Sequence, residues 1–382
     1  MGSGYSQLIA PLVPADVNEW NLMIGNNLYE QLIHYTPALW YINEQAYSAG
    51  IVEHYVKIGA KAIIMEWNNP RTLHPEWDEE YRYHPQIAVG TNRNEIAVIW
   101  NDSITFQKFQ RAAQGDIDKE DLISYLRMSV AEKDRYFCLY GNDAEIFDFR
   151  PGRFKTEPEL KSIHEWAKIR DIYHLLRNNT NFELIFPSEV LKSSDTHHGY
   201  VPLSLESAVQ PIPVKKQPKY NITRWAVTGS NNLFINTKCY EIYQRVLRLS
   251  KQDDFSKDKL LELQKELCYL WSSDFRTHIT QDRWDSFLKK INHVSEELTR
   301  DFNNSGYTIL SNRKTISVSN LQGMIYIGEI GHGENMDLPV SIEGFKINKD
   351  NKFLHVTTPS VDAVFNCNRG LAIHSLNISR DF

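Results

Sequence analysis

Short apolar runs alternate with helical stretches through the first 200 residues, and this alternation constrains the fold more than any other feature. Strand–helix–strand repetition at this spacing predicts a parallel sheet. Four or five such units in about 190 residues favour part of a β/α barrel, within the α/β class. A doubly wound open sheet is the alternative, but no G-x-G-x-x-G motif follows the first predicted strand. The predicted strands are residues 38–42, 61–65, 95–100, 136–140 and 182–186, and the predicted helices are residues 49–58, 106–113, 121–131 and 158–177.

The chain changes character twice after this region. Residues 201–230 contain Pro202, Pro211, Pro213 and Pro218 with little periodicity, which is typical of a linker. Leucines at helical spacing predict a helical domain at residues 231–305, and alternating β-type runs predict a β-rich region at residues 306–382. We therefore expect a partial barrel domain at residues 1–200, a linker, a helical domain and the start of a β-rich domain.

Composition excludes several classes of partner. The formal net charge is −6, whereas a face that binds nucleic acid usually needs an excess of Lys and Arg. The longest apolar runs, such as residues 96–100, are far shorter than the about 20 residues of a membrane-spanning helix. The N-terminus lacks the pattern of a secretory signal, and the four cysteines include no CxxC pair. We therefore expect a cytoplasmic protein with free thiols and with neither nucleic acid nor a membrane as its partner.

Polar side chains follow four successive predicted strands. In a β/α barrel the reacting groups come from loops at the carboxyl ends of the strands. Each of these ends brings a carboxylate beside amides, and two of them also carry Trp or Tyr. Amides and acids bind hydroxyl groups, aromatic rings stack on sugars, and two acids can cleave a glycosidic bond. The four ends are residues 43–45, 66–69, 101–102 and 141–145, and together they predict sugar chemistry.

Three other motifs have ordinary structural explanations. His197 and His198 are adjacent in a polar loop, with no further ligand at metal-binding spacing. The glycines around His332 lack the strand–helix context of a phosphate-binding loop. Residues 272–274 place hydroxyls beside a carboxylate, but no histidine stands in a relay position. We therefore predict neither a metal ion nor a cofactor.

Four segments resemble motifs of glycoside hydrolase family 57. Residues 40–48, WYINEQAYS, are similar to the family's nucleophile motif, in which an aromatic-rich strand delivers a Glu. Residues 142–147, NDAEIF, are similar to its acid/base motif. Residues 2–14 resemble the segment before the nucleophile strand, and residues 272–275 resemble the Ser-Asp-Trp motif of the helical region. The resemblance spans roughly residues 2–300, and the order and separation of its motifs make it fairly specific.

The resemblance implies an α/β fold with a partial (β/α)7-type barrel followed by a helical domain. It also implies retaining chemistry on α-linked oligo- or polysaccharide, by hydrolysis or by transfer to another sugar. In this chemistry Glu44 is the implied nucleophile and Asp143 the implied general acid/base, with their carboxyl groups about 5–5.5 Å apart. The expected substrate contacts are Tyr41, Glu66, Trp67, Asn68 and Asp274.

The sequence also departs from the family pattern. Residues 148–150, DFR, follow the acid/base motif where the family usually has Gly-His-Trp, which favours a different sugar. No His-Gln-Pro motif precedes the nucleophile strand, so we expect a fragment, with room for a separate polypeptide that completes the barrel. A carbohydrate-binding or assembly subunit without activity is the main alternative. A metal-dependent deacetylase on a related barrel is a third hypothesis, but its Asp/His/His cluster has no counterpart in the sequence.

Overall fold

Helices and two β-sheets make up the described part of the chain. The computed structural model describes residues 1–130, 133–141, 144–150, 164–192, 198–205, 222–229, 231–276, 279–304, 346–350, 352–358, 361–366 and 372–378. Its α-helices are α1 (Ala15–Ile33), α2 (Val52–Lys57), α3 (Asn68–Arg71), α4 (Ser103–Gln114), α5 (Lys119–Val130), α6 (Glu165–Arg177), α7 (Asn232–Leu249), α8 (Lys257–Leu270) and α9 (Gln281–Asn304). Its strands are β1 (Leu39–Tyr41), β2 (Ala62–Glu66), β3 (Gln86–Val89), β4 (Glu95–Asn101), β5 (Pro202–Leu203), β6 (Lys346–Lys349), β7 (Phe353–Thr357), β8 (Val361–Asn366) and β9 (Ala372–Ile378).

The first five strands form one sheet in the order β1-β2-β4-β3-β5. The strands β1, β2 and β4 run parallel, so their carboxyl ends meet at one edge. The strand β3 runs antiparallel to β4, and β5 pairs with β3. The predicted α/β class and the parallel pairing of its first strands are therefore confirmed, and the antiparallel β3 makes the sheet mixed.

The two faces of this sheet have different surroundings, as the alternation of side chains along a strand requires. Trp40, Ile63 and Val98 point to one face, where they are buried in the core beneath α1 and α2. Tyr41, Ile64 and Ile99 occupy the matching positions of the other face, which borders a large cavity. The sheet thus separates a packed core from a concave surface.

Local signals explain where the helices start and stop. Asp102 caps α4, because its side chain accepts hydrogen bonds from the N–H groups of Ile104 and Thr105. The same helix ends at Gly115, whose φ of 79° lies in the left-handed region that favours glycine. The helix α1 was not predicted, because four asparagines and Gly25 weaken its helical signal. Close packing requires glycine at position 25, because a Cβ there would lie 2.9 Å from the backbone nitrogen of Tyr5.

Two predicted strands are wrong, because residues 136–140 and 182–186 belong to no helix or strand. The strand β4 is already paired with β2 on one edge and with β3 on the other. Residues 136–140 therefore have no free edge of β4 to join. Instead, the Tyr136 N–H donates a hydrogen bond to the Tyr83 carbonyl at 3.1 Å, and the Tyr136 side chain packs over the cavity face of the sheet.

The strands that take these places, β3 and β5, were not predicted. Each is short, and β3 follows Pro85 directly and is joined to β4 by a tight turn in which the Gly90 N–H bonds to the Asn94 carbonyl. The strand β5 also shows that the first residues of the predicted linker belong to the sheet. Linker residues 206–221 and 230 lie outside the described residues, and residues 222–229 include a short helical segment, Arg224–Thr228.

The helical region forms its own core and contacts the first domain. Helices α7, α8 and α9 bury side chains such as Val246, Leu267 and Ile291 in one cluster. Leu8 and Val17, from the N-terminal segment and α1, belong to the same cluster. The predicted helical region is thus present, and its packing against the N-terminal segment brings it close to β1.

The strands β6 to β9 pair antiparallel in chain order and form the second sheet. Residues 306–345 of the predicted β-rich region lie outside the described residues. Among the described residues, no helix is long and apolar enough to cross a membrane.

Candidate active site

A cavity of about 1560 Å³ lies at the carboxyl ends of β1, β2 and β4. Glu66 and Asn101 line it from the ends of β2 and β4, and their backbones are register partners on neighbouring strands. Glu44 lines it from the turn after β1, and Gly141 lines it from the segment that was predicted to be a strand. The four polar segments recognised in the sequence therefore all reach one concave surface through at least one residue.

Glu44 sits in an unusual backbone turn. It lies in a single 3₁₀ turn, Asn43–Gln45, that directly follows β1. Glu44 and Gln45 have φ values of 54° and 55°, in the left-handed region that non-glycine residues rarely adopt. Such residues persist where the surroundings hold them, and they cluster at functional sites. Here the side chain of Gln45 helps to hold the turn, because its Oε1 accepts the Glu66 N–H at 2.6 Å.

The Glu44 carboxylate is held from the helical region. Its Oε1 accepts a hydrogen bond from the Ser273 Oγ at 2.6 Å. Ser273 is itself fixed, because its N–H donates to the Gln7 carbonyl at 2.9 Å and its side chain is buried. A hydroxyl that donates to a carboxylate favours the ionised form. This arrangement therefore suits a carboxylate that acts as a nucleophile.

A buried cation lies in the electrostatic surroundings of Glu44. Arg276 is 1% exposed and donates to the Trp225 carbonyl and to the Asn236 Oδ1, each at 2.8 Å. Burial lowers the pKa of Arg276 to about 10, and the charge of Glu44 acts in the opposite direction. Arg276 therefore stays protonated at neutral pH, and its charge stabilises the ionised form of Glu44.

Glu66 has a different environment from Glu44. Its side chain is 5% exposed, and its Oε1 accepts hydrogen bonds from the Asn68 Nδ2 at 2.6 Å and from the Ser103 N–H at 3.1 Å. Its Oε2 is buried without a hydrogen-bond partner among the described residues. Burial raises the pKa of Glu66, although the hydrogen bonds from Asn68 and Ser103 oppose that effect. The burial of Glu66 therefore disfavours its ionised form.

The structure corrects two predicted substrate contacts. The Trp67 ring is 1% exposed and does not line the cavity; it packs edge-on against Trp100 at a centroid distance of 5.2 Å. Asn68 does not line the cavity either, since its amide is used to hold Glu66 and contacts the Ser103 Oγ at 3.2 Å. We therefore withdraw Trp67 and Asn68 as substrate contacts, because the first is a core residue and the second orients Glu66.

Asp274 also lies outside the cavity lining. Its Oδ2 accepts a hydrogen bond from the Ser272 Oγ at 2.9 Å, and this pair shapes the short 3₁₀ turn Ser273–Phe275. Residues 272–275 are the segment that resembles a family motif, and within it Ser273 rather than Asp274 reaches Glu44. No sequence pattern indicated Arg276, because its effect on Glu44 depends on the tertiary packing that buries its charge within electrostatic range of that carboxylate.

Tyr41 lines the cavity, and its hydroxyl donates to the Gly141 carbonyl at 2.7 Å. Asp143, the predicted acid/base, lies outside the described residues, and Gly141 precedes it by two positions in the sequence. Among the described residues, no group of three or more His, Cys, Asp or Glu side chains could hold a metal ion.

These observations define an α/β protein whose sheet carries carboxylates where its parallel strands end. Residues 1–203 match the model of the family described as glycosyl hydrolase family 57, which is more than half of the chain. The chain therefore belongs to glycosyl hydrolase family 57. No curated protein sequence matches it.

Three solved structures of similar fold carry related names. The 4-alpha-glucanotransferase from Thermococcus litoralis has a TM-score of 0.55 at 13% identity. The matched region covers 98% of this chain and 54% of the glucanotransferase chain. The GH57-type branching enzyme from Pyrococcus horikoshii has a TM-score of 0.57 at 13% identity, covering 80% of this chain and 66% of its own. The alpha-amylase AmyC from Thermotoga maritima has a TM-score of 0.58 at 14% identity, covering 80% of this chain and 68% of its own. This chain thus spans about half to two thirds of their lengths, and the likeness concerns the fold.

Proposed function

We propose that this chain is a retaining glycoside hydrolase or transglycosylase that acts on α-linked oligo- or polysaccharide. The observation that carries the proposal is Glu44, which lines a large cavity from a left-handed turn and accepts a hydrogen bond from the buried Ser273. Membership of glycosyl hydrolase family 57 supports the reaction class. The names of the similar structures, a glucanotransferase, a branching enzyme and an amylase, support an α-glucan as the substrate.

The size of the cavity supports an oligomeric substrate. Sites for drug-sized ligands occupy about 300–1,000 Å³. The cavity at the strand ends is larger, at about 1560 Å³, and its lining includes aromatic rings such as Tyr41, Phe106 and Tyr140. These dimensions suit a chain of several sugars better than a single one.

In the proposed reaction, Glu44 attacks the anomeric carbon while Asp143 donates its proton to the glycosidic oxygen. The bond from the anomeric carbon to that oxygen breaks, and an ester forms between the sugar and Glu44. Asp143 then removes a proton from water or from a sugar hydroxyl, which attacks the anomeric carbon and releases Glu44. We propose that Tyr41 and Glu66 lie close to the bound sugar, since both line the cavity.

The test is a Glu44→Gln variant, which keeps the size of the side chain and removes its charge. Glu95→Gln is the matched control, because Glu95 is exposed at the start of β4 and does not line the cavity. We expect Glu44→Gln to lower kcat on maltooligosaccharides by at least about 1,000-fold, and Glu95→Gln to leave it within about two-fold. Product analysis with and without a second sugar as acceptor then separates hydrolysis from transfer. Unchanged turnover in Glu44→Gln would exclude Glu44 as the nucleophile.

We also propose the division into a barrel-type domain at residues 1–200, a helical domain at 231–305 and a β-rich region at 306–382. The separate sheet β6 to β9 supports this division, whereas the core of α7, α8 and α9 also includes Leu8 and Val17 from the first domain. A cytoplasmic location and a second polypeptide that completes the barrel remain predictions from the sequence.

A further inference from the structure

The carbonyl group of Gly141 is held by side chains from two strands. The Tyr41 hydroxyl, at the end of β1, donates to this carbonyl at 2.7 Å. The Asn101 Nδ2, at the end of β4, donates to the same carbonyl at 3.1 Å and contacts the Tyr41 hydroxyl oxygen at 3.3 Å. One carbonyl oxygen therefore joins the ends of β1 and β4 to the segment that follows residue 140.

The packing at Gly141 leaves no room for a side chain. A Cβ at this position would lie 2.4 Å from the Asn101 Oδ1 and 2.6 Å from its Cγ. Asn101 has little freedom to move away, since it is 1% exposed and its amide already donates hydrogen bonds to Tyr41 and Gly141. The carboxamide of Asn101 thus lies flat against the Gly141 backbone, and the contact depends on a glycine.

The position of these residues in the chain relates the contact to the two proposed reacting groups. Tyr41 precedes Glu44 by three residues, and Gly141 precedes Asp143 by two. We propose that Tyr41, Asn101 and Gly141 form a clamp that fixes the backbone two residues before Asp143, and that this clamp is needed for proton donation and nucleophilic attack to occur at one anomeric centre. This proposal rests on the proposed function, and it gives Tyr41, which also lines the cavity, a positioning role.

A clamp of this kind has a specific kinetic signature. Misplacing a reacting group by about 1 Å can lower the rate about 100-fold. Asp143 matters most when the leaving oxygen is strongly basic and must receive a proton as its bond to carbon breaks. A fluoride leaving group departs as a weakly basic anion and needs little proton donation. Displacing Asp143 should therefore lower kcat/KM, which reports the first step, for an oligosaccharide while sparing kcat/KM for a glycosyl fluoride. The second step needs Asp143 as a base with either substrate, so kcat alone does not separate the two cases.

The experiment measures kcat and KM of the full chain with two substrates, maltopentaose and α-maltosyl fluoride. Tyr41→Phe removes the hydroxyl of the clamp, and Gly141→Ala displaces the Asn101 amide by a different route. The matched control is Tyr200→Phe, because the Tyr200 hydroxyl also donates to a backbone carbonyl, that of Leu191, but Tyr200 does not line the cavity. We expect both clamp variants to lose 10- to 100-fold in kcat/KM on maltopentaose and less than three-fold in kcat/KM on the fluoride. Tyr200→Phe should leave the ratio of the two kcat/KM values unchanged.

Equal losses on both substrates would overturn the proposal, because they would show a general structural role. Unchanged kcat/KM on maltopentaose in both clamp variants would overturn it as well. Asp143→Asn should reproduce the same selectivity with larger losses. A failure of the proposed function has a separate signature: Glu44→Gln would then retain turnover on both substrates. If Glu44→Gln is inactive while Tyr41→Phe and Gly141→Ala behave like wild type, the clamp alone is refuted.

Discussion

The hydrogen bond from Ser273 to Glu44 links the helical region to the cavity, and its removal gives a prediction of defined size. The Ser273 Oγ lies 2.6 Å from the Glu44 Oε1, a short distance that is typical of a hydroxyl donating to a carboxylate. Ser273→Ala deletes this one donor and leaves the backbone bond from Ser273 to Gln7 in place. The variant therefore tests the side-chain bond with little other change.

The expected magnitude follows from the charge of the acceptor. Hydrogen bonds to charged groups contribute about 1.5–3 kcal/mol, compared with about 0.5–1.5 kcal/mol for neutral pairs. Ser273 is 4% exposed, so the bond is well shielded from water on the donor side. We expect a coupling free energy of about 1.5–3 kcal/mol between Ser273→Ala and Glu44→Ala at pH 7.

The assay is a double-mutant cycle in urea unfolding, followed by Trp fluorescence. Ser272→Ala provides the matched control, because the neighbouring Ser272 hydroxyl is also buried but donates to Asp274. Ser272→Ala should destabilise the protein without coupling to Glu44→Ala. A coupling below about 0.5 kcal/mol between Ser273 and Glu44 would refute the reasoning, since it would fall within ordinary additivity error.

Two further predictions concern Glu66 and Trp67. Burial raises the pKa of Glu66, so the folded protein favours its protonated form; this contribution to stability is complete at acidic pH and is lost as the pH rises through the raised pKa. The Tm of Glu66→Gln relative to wild type should therefore increase from pH 4 to pH 7, and a pH-independent difference would contradict the assigned burial effect. Trp67→Phe should lower the free energy of unfolding by about 1–3 kcal/mol, because it removes part of a buried ring. The KM for maltopentaose should stay within about two-fold in this variant, whereas a large rise in KM would restore Trp67 as a substrate contact.

Much of the sheet could be predicted from the sequence because its strands are buried on at least one side. The apolar runs that form β1, β2 and β4 are bounded by clear turns, and the parallel pairing follows from the helices between them. The strand β3 could not be found in this way. Its four residues form a strand because they pair with β4, and no local sequence pattern predicts that contact.

The candidate site was predictable to the level of segments. Strand ends identify Glu44 and Glu66, because the carboxyl ends of parallel strands meet at one edge. The roles of single residues depend on which way each side chain turns. Trp67 directly follows Glu66 in the sequence, yet its ring faces the core, and Ser273 rather than Asp274 reaches Glu44. Such distinctions come from tertiary packing and are not contained in the motif itself.

The central claim is that Glu44 becomes covalently bonded to the sugar during the reaction. A 5-fluoro-α-glycosyl fluoride tests it most directly. Its ring fluorine slows both formation and breakdown of the glycosyl-enzyme, while its fluoride leaving group keeps formation fast enough for the intermediate to accumulate. Mass spectrometry of the digested protein should then find the sugar on the peptide that contains Glu44, and the Glu44→Gln variant should remain unlabelled. A label on Glu66, or turnover that yields a product of inverted anomeric configuration, would contradict the account.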